Sequence, residues 1–363
     1  MTRLLIVDDS PLMRRLLGGI FTPEEGFEIE LARDGAEALD KLHSFQPDVI
    51  TLDVHMPTLD GIACLDRIML ERPCPVVMLS GRTAEGAAET MTALELGAVD
   101  FIPKPEGAVS LEIDALRPLL IDKVRAAATA RVKASTRLTD RVRARSRRIA
   151  RTKGREVPAE LAPAALPPVN RGTAPGLVVV GTSTGGPRAL EVLLTGMPAE
   201  FPWPILVAQH MPAFFTSALA ARLDRLSALR IVELSAPTAL KPGTVYIAKG
   251  EADMVVRRRG EVLVASAAPA DPAYPWHPSA DRLVRSALAA VPADQLIGVL
   301  MTGMGNDGAA AMAEIKAGGG RTVAEAEETA VVWGMPGELV KLDGASAVAP
   351  LERIADLLVE ALA

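Results

Sequence analysis

Leu4-Leu5-Ile6-Val7-Asp8-Asp9-Ser10-Pro11 sets a continuous apolar run against an abrupt acidic end. An apolar run without polar alternation fits a strand buried on both faces, the condition of parallel sheets. Ser10 then offers an N-cap and Pro11 a first helical position, so a helix starts there. The runs at residues 49–52 and 76–79 read as further buried strands, with amphipathic helical patterns between them. Strand and helix alternate five times in this part, which predicts a doubly wound α/β domain. The C-terminal part repeats the pattern, with strands at 177–180, 205–208 and 296–300, each followed by a helix. A hairpin around Arg259-Gly260 interrupts it.

The chain has 363 residues, enough for two or three domains at roughly 150 residues each. Its net charge of −6, from 39 basic and 45 acidic residues, is too mild to mark a nucleic-acid-binding protein. An apolar fraction of 49% excludes a mainly disordered chain. Two cysteines, Cys64 and Cys74, exclude a disulfide scaffold and a four-cysteine metal site, and they fit a reducing compartment. The N-terminal apolar run is too short for a signal peptide, and no stretch reaches about 18 apolar residues. A cytoplasmic, multi-domain protein is expected. Charge is uneven along it. Residues 117–155 hold fourteen basic residues against two acids, a net +12, which leaves −18 for the rest. Residues 116–149 can continue as a basic helix, and the Pro/Ala-rich stretch 155–175 reads as an extended linker. No aromatic residue interleaves the basic run, so single-stranded nucleic acid is a poor partner for it.

The strand ends carry the chemistry. Asp8 and Asp9 close strand one, Asp53 closes strand three, and Ser80 closes strand four. Lys104 follows strand five in Asp100-Phe101-Ile102-Pro103-Lys104-Pro105. Ligands of open α/β sheets bind outside the carboxyl ends of the strands, so these groups should converge. Three converging carboxylates call for a cation, and hard oxygen donors suit Mg²⁺. One carboxylate could then act as nucleophile toward a phosphoryl group, with Lys104 and Ser80 holding its oxygens.

A second site follows the strand at 177–180. Gly181-Thr182-Ser183-Thr184-Gly185-Gly186-Pro187 is a Gly-rich turn entering a helix near Pro187. Ser183 replaces the second glycine of a dinucleotide fingerprint, and a P-loop lysine is lacking. The G-x-S-x-G spacing instead puts a serine on a strand-to-helix turn, where free N–H groups can hold an oxyanion. Its base is His210, which ends the strand at 205–209, or, as a fallback, His277 in Tyr274-Pro275-Trp276-His277-Pro278. His43 sits on a helix as a surface residue. The orienting acid is Asp307, in Thr302-Gly303-Met304-Gly305-Asn306-Asp307-Gly308, or one of its rivals Asp281 and Glu325. A helix N-cap is the competing role for Asp307.

Residues 1 to about 120 resemble a response-regulator receiver domain through Asp8-Asp9, Asp53 before Met56-Pro57, Ser80 and Lys104-Pro105. The resemblance implies that Asp53 is phosphorylated. It also implies that Asp8, Asp9, Asp53 and the His55 backbone carbonyl bind Mg²⁺, and that Ser80 and Phe101 switch with Lys104. Residues 177 to about 345 resemble the catalytic domain of chemotaxis protein-glutamate methylesterases (CheB). The matching segments are 181–187, Gln209-His210-Met211-Pro212, Pro278-Ser279-Ala280-Asp281, 301–308 and Val332-Trp333-Gly334-Met335-Pro336. The implied catalytic set is Ser183 as nucleophile, His210 as base and Asp307 as orienter, with the Met304 N–H and the Thr184 region at the oxyanion and no cofactor. Lys249, Asp253 and Glu325 depart from the family pattern, where Pro, His and Gln are common. The expected fold is α/β, with a flavodoxin-like receiver over 1–120, a linker over 121–173 and a Rossmann-like esterase domain with a β-hairpin over 174–363. Chemoreceptors are the implied substrates and a chemotaxis histidine kinase the implied phosphoryl donor. Rival readings are a response regulator whose degenerate esterase domain only binds a partner, and one that uses the basic stretch on DNA.

Overall fold

A computed structural model describes residues 1–24, 26–104, 109–130, 132, 166–168 and 176–363. The first domain is a five-stranded sheet of β1 (Thr2–Val7), β2 (Phe27–Ala32), β3 (Val49–Asp53), β4 (Val76–Ser80) and β5 (Asp100–Pro103). Its order is β2-β1-β3-β4-β5 and every pairing is parallel. The helices are α1 (Pro11–Phe21), α2 (Gly35–Ser44), α3 (Gly61–Glu71), α4 (Ala84–Leu96) and α5 (Val109–Ala128). Ser10 caps α1 as expected, its hydroxyl accepting from the Met13 N–H. Asp34, Asp60 and Thr83 cap the next three helices in the same way. α5 carries the packed body past residue 120, because Leu120, Ile121, Val124 and Ala127 are buried against Leu4, Ile6 and Val77.

The second domain opens with β6 (Leu177–Thr182), α6 (Gly186–Thr195), β7 (Ile205–Gln209), α7 (Ala213–Leu226), β8 (Arg230–Leu234), β9 (Thr238–Ala239) and β10 (Thr244–Ala248). The hairpin β11 (Ala252–Arg259) and β12 (Val262–Pro269) follows, turning at Gly260 as its φ of +60° requires. α8 (Ala280–Ala290), β13 (Leu296–Leu300), α9 (Ala309–Ala317), β14 (Arg321–Glu325), α10 (Met335–Lys341), β15 (Ala347–Ala349) and α11 (Leu351–Ala361) complete it. Seven parallel strands run β15-β14-β13-β6-β7-β10-β8, with a separate antiparallel sheet β11-β12-β9. After β6 the chain first builds toward β7 and later returns to β6's other side with β13. That reversal is a topological switch point, and it opens a crevice at the strands' carboxyl ends.

Most of the expected basic helix and linker falls outside the described residues. At the linker's far end Leu166 is buried, and the Arg321 guanidinium donates to the carbonyls of Pro167 (3.2 Å) and Pro168 (2.5 Å). This fastens the linker to the start of β14, the edge of the sheet opposite the crevice.

Candidate functional site

The first domain gathers its predicted residues at one sheet end. Ligand oxygens of Asp8, Asp9 and Asp53 lie within 4.8 Å of one another. The Lys104 ammonium sits 2.7 Å from Asp53 Oδ2 and 2.9 Å from Asp8 Oδ2. Burial raises the Asp53 pKa even though Lys104 pulls the other way. Burial works against the charged form of Lys104, but Asp53 and Asp8 outweigh it and raise its pKa. Three carboxylates against one ammonium leave an excess of negative charge on hard oxygen donors, a set that fits a divalent cation such as Mg²⁺. The His55 N–H donates to Asp53 Oδ1 (3.2 Å), while its imidazole turns outward to Glu89 (3.1 Å). The Ser80 hydroxyl donates to the Gly86 carbonyl at the start of α4 (3.0 Å). Phe101 is buried, and its ring packs on Phe215 of α7 in the other domain, centroids 4.3 Å apart.

The second domain places Ser183, His210 and Asp307 after β6, β7 and β13, around the switch point. The Ser183 N–H donates to the Thr302 carbonyl (3.0 Å), fixing the turn to the β13 loop. Gly303 approaches so closely that an added Cβ would lie 2.8 Å from Ser183 Cβ, and Met304 is the next residue in that loop. Gly186 must lack a side chain because Gln209 Oε1 and Thr182 Oγ1 occupy that space. The Gln209 amide in turn donates to the Ser183 and His210 carbonyls, both at 3.0 Å.

His210 is held by its own N–H on the Thr182 carbonyl (3.0 Å) and by Nε2 on Asp307 Oδ2 (2.8 Å). Its Nδ1 is buried without a hydrogen-bond partner among the described residues. Asp307 does not cap the helix that follows it; Gly308 stands at that position. Instead it accepts from the Ala280 N–H (2.6 Å), the Asp281 N–H (3.0 Å) and the Ser279 hydroxyl (3.0 Å), at the N-terminus of α8. Burial alone would raise its pKa, but the His210 bond and these N–H donors outweigh burial and hold it below the usual carboxylate range. The rival acids are engaged elsewhere. Asp281 accepts from the Ala311 N–H (2.9 Å). Glu325 accepts from the Thr302 N–H (2.8 Å) and the Thr329 hydroxyl (3.0 Å), and burial pushes its pKa up to about 7. His277 is tied through Nδ1 to buried Asp253 (3.1 Å), which Arg282 also grips (2.5 Å). Lys249 is exposed. His43 lies on the surface against Glu71 (3.1 Å). One contact escaped the sequence reading: the Trp276 ring stacks on His210, 4° from parallel and 5.7 Å between centroids. Its only advance signal was an aromatic residue in the proline-flanked loop that held the fallback base.

The two sites meet. β5 of the first domain lies on the Ser183 turn, where the Gly185 N–H donates to the Val99 carbonyl (3.2 Å). The Thr184 hydroxyl donates to Asp100 Oδ2 (2.5 Å), and the other carboxylate oxygen accepts from Lys123 (2.8 Å) and the Phe101 N–H (2.7 Å). On the flank, Arg222 of α7 pairs with Glu95 of α4 and with Glu191 (2.7 Å). Apolar packing runs unbroken from Met91, Leu94 and Phe101 into Phe215 and Leu219.

Comparison with known proteins agrees with both halves. Residues 178–358 match the family model for CheB methylesterase, and residues 4–114 that for the response regulator receiver domain. A protein-glutamate methylesterase/protein-glutamine glutaminase of Rhodopseudomonas palustris is 54% identical over 360 residues, covering 99% of this chain and 98% of the relative. One from Rhodospirillum rubrum is 53% identical, covering 98% and 95%. The crystal structure of the Thermotoga maritima CheB methylesterase catalytic domain superposes with a TM-score of 0.50 at 36% identity, covering 52% of this chain and 99% of that one. No helix among the described residues is long and apolar enough to cross a membrane.

Proposed function

Because this chain belongs to the CheB methylesterase family and carries a response-regulator receiver domain, we propose that Ser183, His210 and Asp307 perform its hydrolysis. The chain is a protein-glutamate methylesterase and protein-glutamine glutaminase. The observation that carries the residue assignment is the engagement of His210: Nε2 bound to Asp307, Nδ1 buried with no hydrogen-bond partner among the described residues. With Nε2 as the N–H, Nδ1 holds the lone pair that takes the Ser183 proton. Ser183 Oγ bonds to the ester carbonyl carbon, and the carbonyl electrons move onto its oxygen. The Met304 N–H, with donors from the Thr184 region, receives that oxyanion. His210 returns the proton to the departing methoxide, giving methanol and an acyl-serine, and water releases glutamate by the same steps. A glutamine side chain follows the same route with ammonia leaving. Asp307, ionised at neutral pH, stabilises the imidazolium between these steps.

The substrates are methyl-accepting chemoreceptors, the compartment is the cytoplasm, and the phosphoryl donor is a chemotaxis histidine kinase. Asp53 accepts the phosphoryl group, and Lys104 steadies its oxygens. Asp8, Asp9, Asp53 and the His55 carbonyl would hold Mg²⁺, which supplies charge neutralisation when bound. Phosphorylation acts through Ser80 and Phe101 on the contact between β5 and the Ser183 turn, since Phe101 packs on Phe215 and its neighbour Asp100 binds Thr184. The test is methanol release from methylated receptor membranes, wild type against Ser183→Ala. A loss of about 10³-fold or more is expected; equal rates would overturn the assignment.

A further inference from the structure

We propose that Trp276 is a positioning residue for this hydrolysis: its indole holds the plane of the His210 ring and stabilises the imidazolium formed during the reaction. The inference rests on the catalytic reading above. The rings lie nearly parallel, 5.7 Å between centroids, an offset stack inside the roughly 6 Å over which a cation is attracted to an aromatic face. The bond from Nε2 to Asp307 fixes where one edge of the imidazole points. It leaves the ring free to rock about that bond, and the indole closes this freedom.

The indole is itself held in place. Its neighbour His277 is bound to Asp253, which Arg282 and the Ser279 N–H also hold. Ser279, three residues on, donates to Asp307. Behind the ring stands Gly305, where an added Cβ would lie 2.9 Å from Trp276 Cζ2. Gly305 directly follows Met304, so one side chain touches both the base and the loop at the oxyanion. The His277–Asp253–Arg282 cluster thereby gains a purpose that neither a fallback base nor a plain ion pair explains: it anchors the loop that carries the indole.

When Ser183 attacks, its proton passes to His210 Nδ1 and the ring becomes cationic; when methanol leaves, the proton passes on. The cation forms around both transition states, after the imidazole has taken the serine proton. Its stabilisation therefore enters kcat rather than KM. In the full-length chain acting on methylated receptor membranes, Trp276→Leu should lower kcat about 5- to 30-fold, equivalent to about 1–2 kcal/mol. KM should stay within about twofold. Trp276→Met, similar in reach but lacking a π face, should show the same loss, and Trp276→Phe should recover to within about threefold of wild type. Melting temperatures and phosphoryl uptake at Asp53 should match wild type, and they report the fold independently of the esterase site. An unchanged kcat in the Leu and Met variants, a change confined to KM, or a Phe variant as impaired as the Leu variant would each overturn the proposal. A wild-type rate in Ser183→Ala would instead overturn the catalytic reading on which it rests.

Discussion

The hydrogen bond from Thr184 to Asp100 crosses between domains beside the nucleophile, so breaking it should raise the basal activity of the unphosphorylated chain. Asp100→Ala removes the acceptor while Thr184 remains. A hydrogen bond to a charged group contributes about 1.5–3 kcal/mol net, and only the part made across the interface is lost when the domains separate. The bonds of Asp100 to Lys123 and to the Phe101 N–H lie within the receiver and persist in both states. An interface weakened by about 1.5 kcal/mol increases the fraction of chains with the domains apart about tenfold. Methanol release should therefore rise about tenfold, with the rate of the phosphorylated wild type as its ceiling. Thr184→Val removes the donor of the same bond and should give a similar rise. The double variant should gain little more, because both changes delete one interaction. The assay is methanol release without phosphodonor, with phosphoryl uptake at Asp53 as the control for an intact receiver. Unchanged basal activity in Asp100→Ala, or effects of the two changes that multiply, would refute the reasoning.

Other perturbations separate the remaining contributions. Arg222→Ala breaks the pair with Glu95, which is half exposed, so the interface should loosen by only about 0.5–1 kcal/mol and basal activity rise about two- to fivefold, less at high salt; a change as large as that of Asp100→Ala would contradict the ranking. Glu325 bears on stability. Its pKa in the fold, about 7, lies above that of the free side chain, so the stability it contributes is full below about pH 4.5 and is lost as pH rises to about 7. Glu325→Gln cannot titrate, so its stability relative to wild type should climb between pH 5 and pH 8, by an amount on the order of a few kcal/mol, read as a rising difference in melting temperature. A constant difference across that range would show that Glu325 is not the titrating group.

Much of this was legible in the sequence because parallel strands leave local marks. A run such as residues 4–7 is apolar throughout because both faces are buried, and the first polar residue after it sits at the functional edge. Asp8, Asp53 and Lys104 were singled out this way, His210 by its place at a strand end, and Ser183 by the G-x-S-x-G spacing of the turn after a strand. Asp307 was found too, but its partners were not. Its competing role was to cap the helix after it, whereas it binds the start of α8, 26 to 28 residues earlier in the chain. No periodicity records such a pairing. The choice between His210 and His277 was open for the same reason, since only the fold ties His210 to the Thr182 carbonyl beside Ser183 and His277 to Asp253. Trp276 on His210 and Asp100 on Thr184 are contacts between segments whose local patterns say nothing of each other. A helix was expected to continue through 116–149 and α5 does run to Ala128, but that its stripe of Leu120, Ile121, Val124 and Ala127 packs on the first sheet is a tertiary contact the basic run does not reveal.

A phosphoryl group on Asp53 is proposed to open a serine esterase housed in the same chain. The direct measurement is methanol release from methylated receptors with and without a phosphodonor, for wild type, Asp53→Asn and Ser183→Ala. The rate should rise in wild type alone, stay at an unresponsive basal level in Asp53→Asn, and show no catalysed release in Ser183→Ala. An equal rise in Asp53→Asn, or release by Ser183→Ala that follows the phosphodonor, would contradict it.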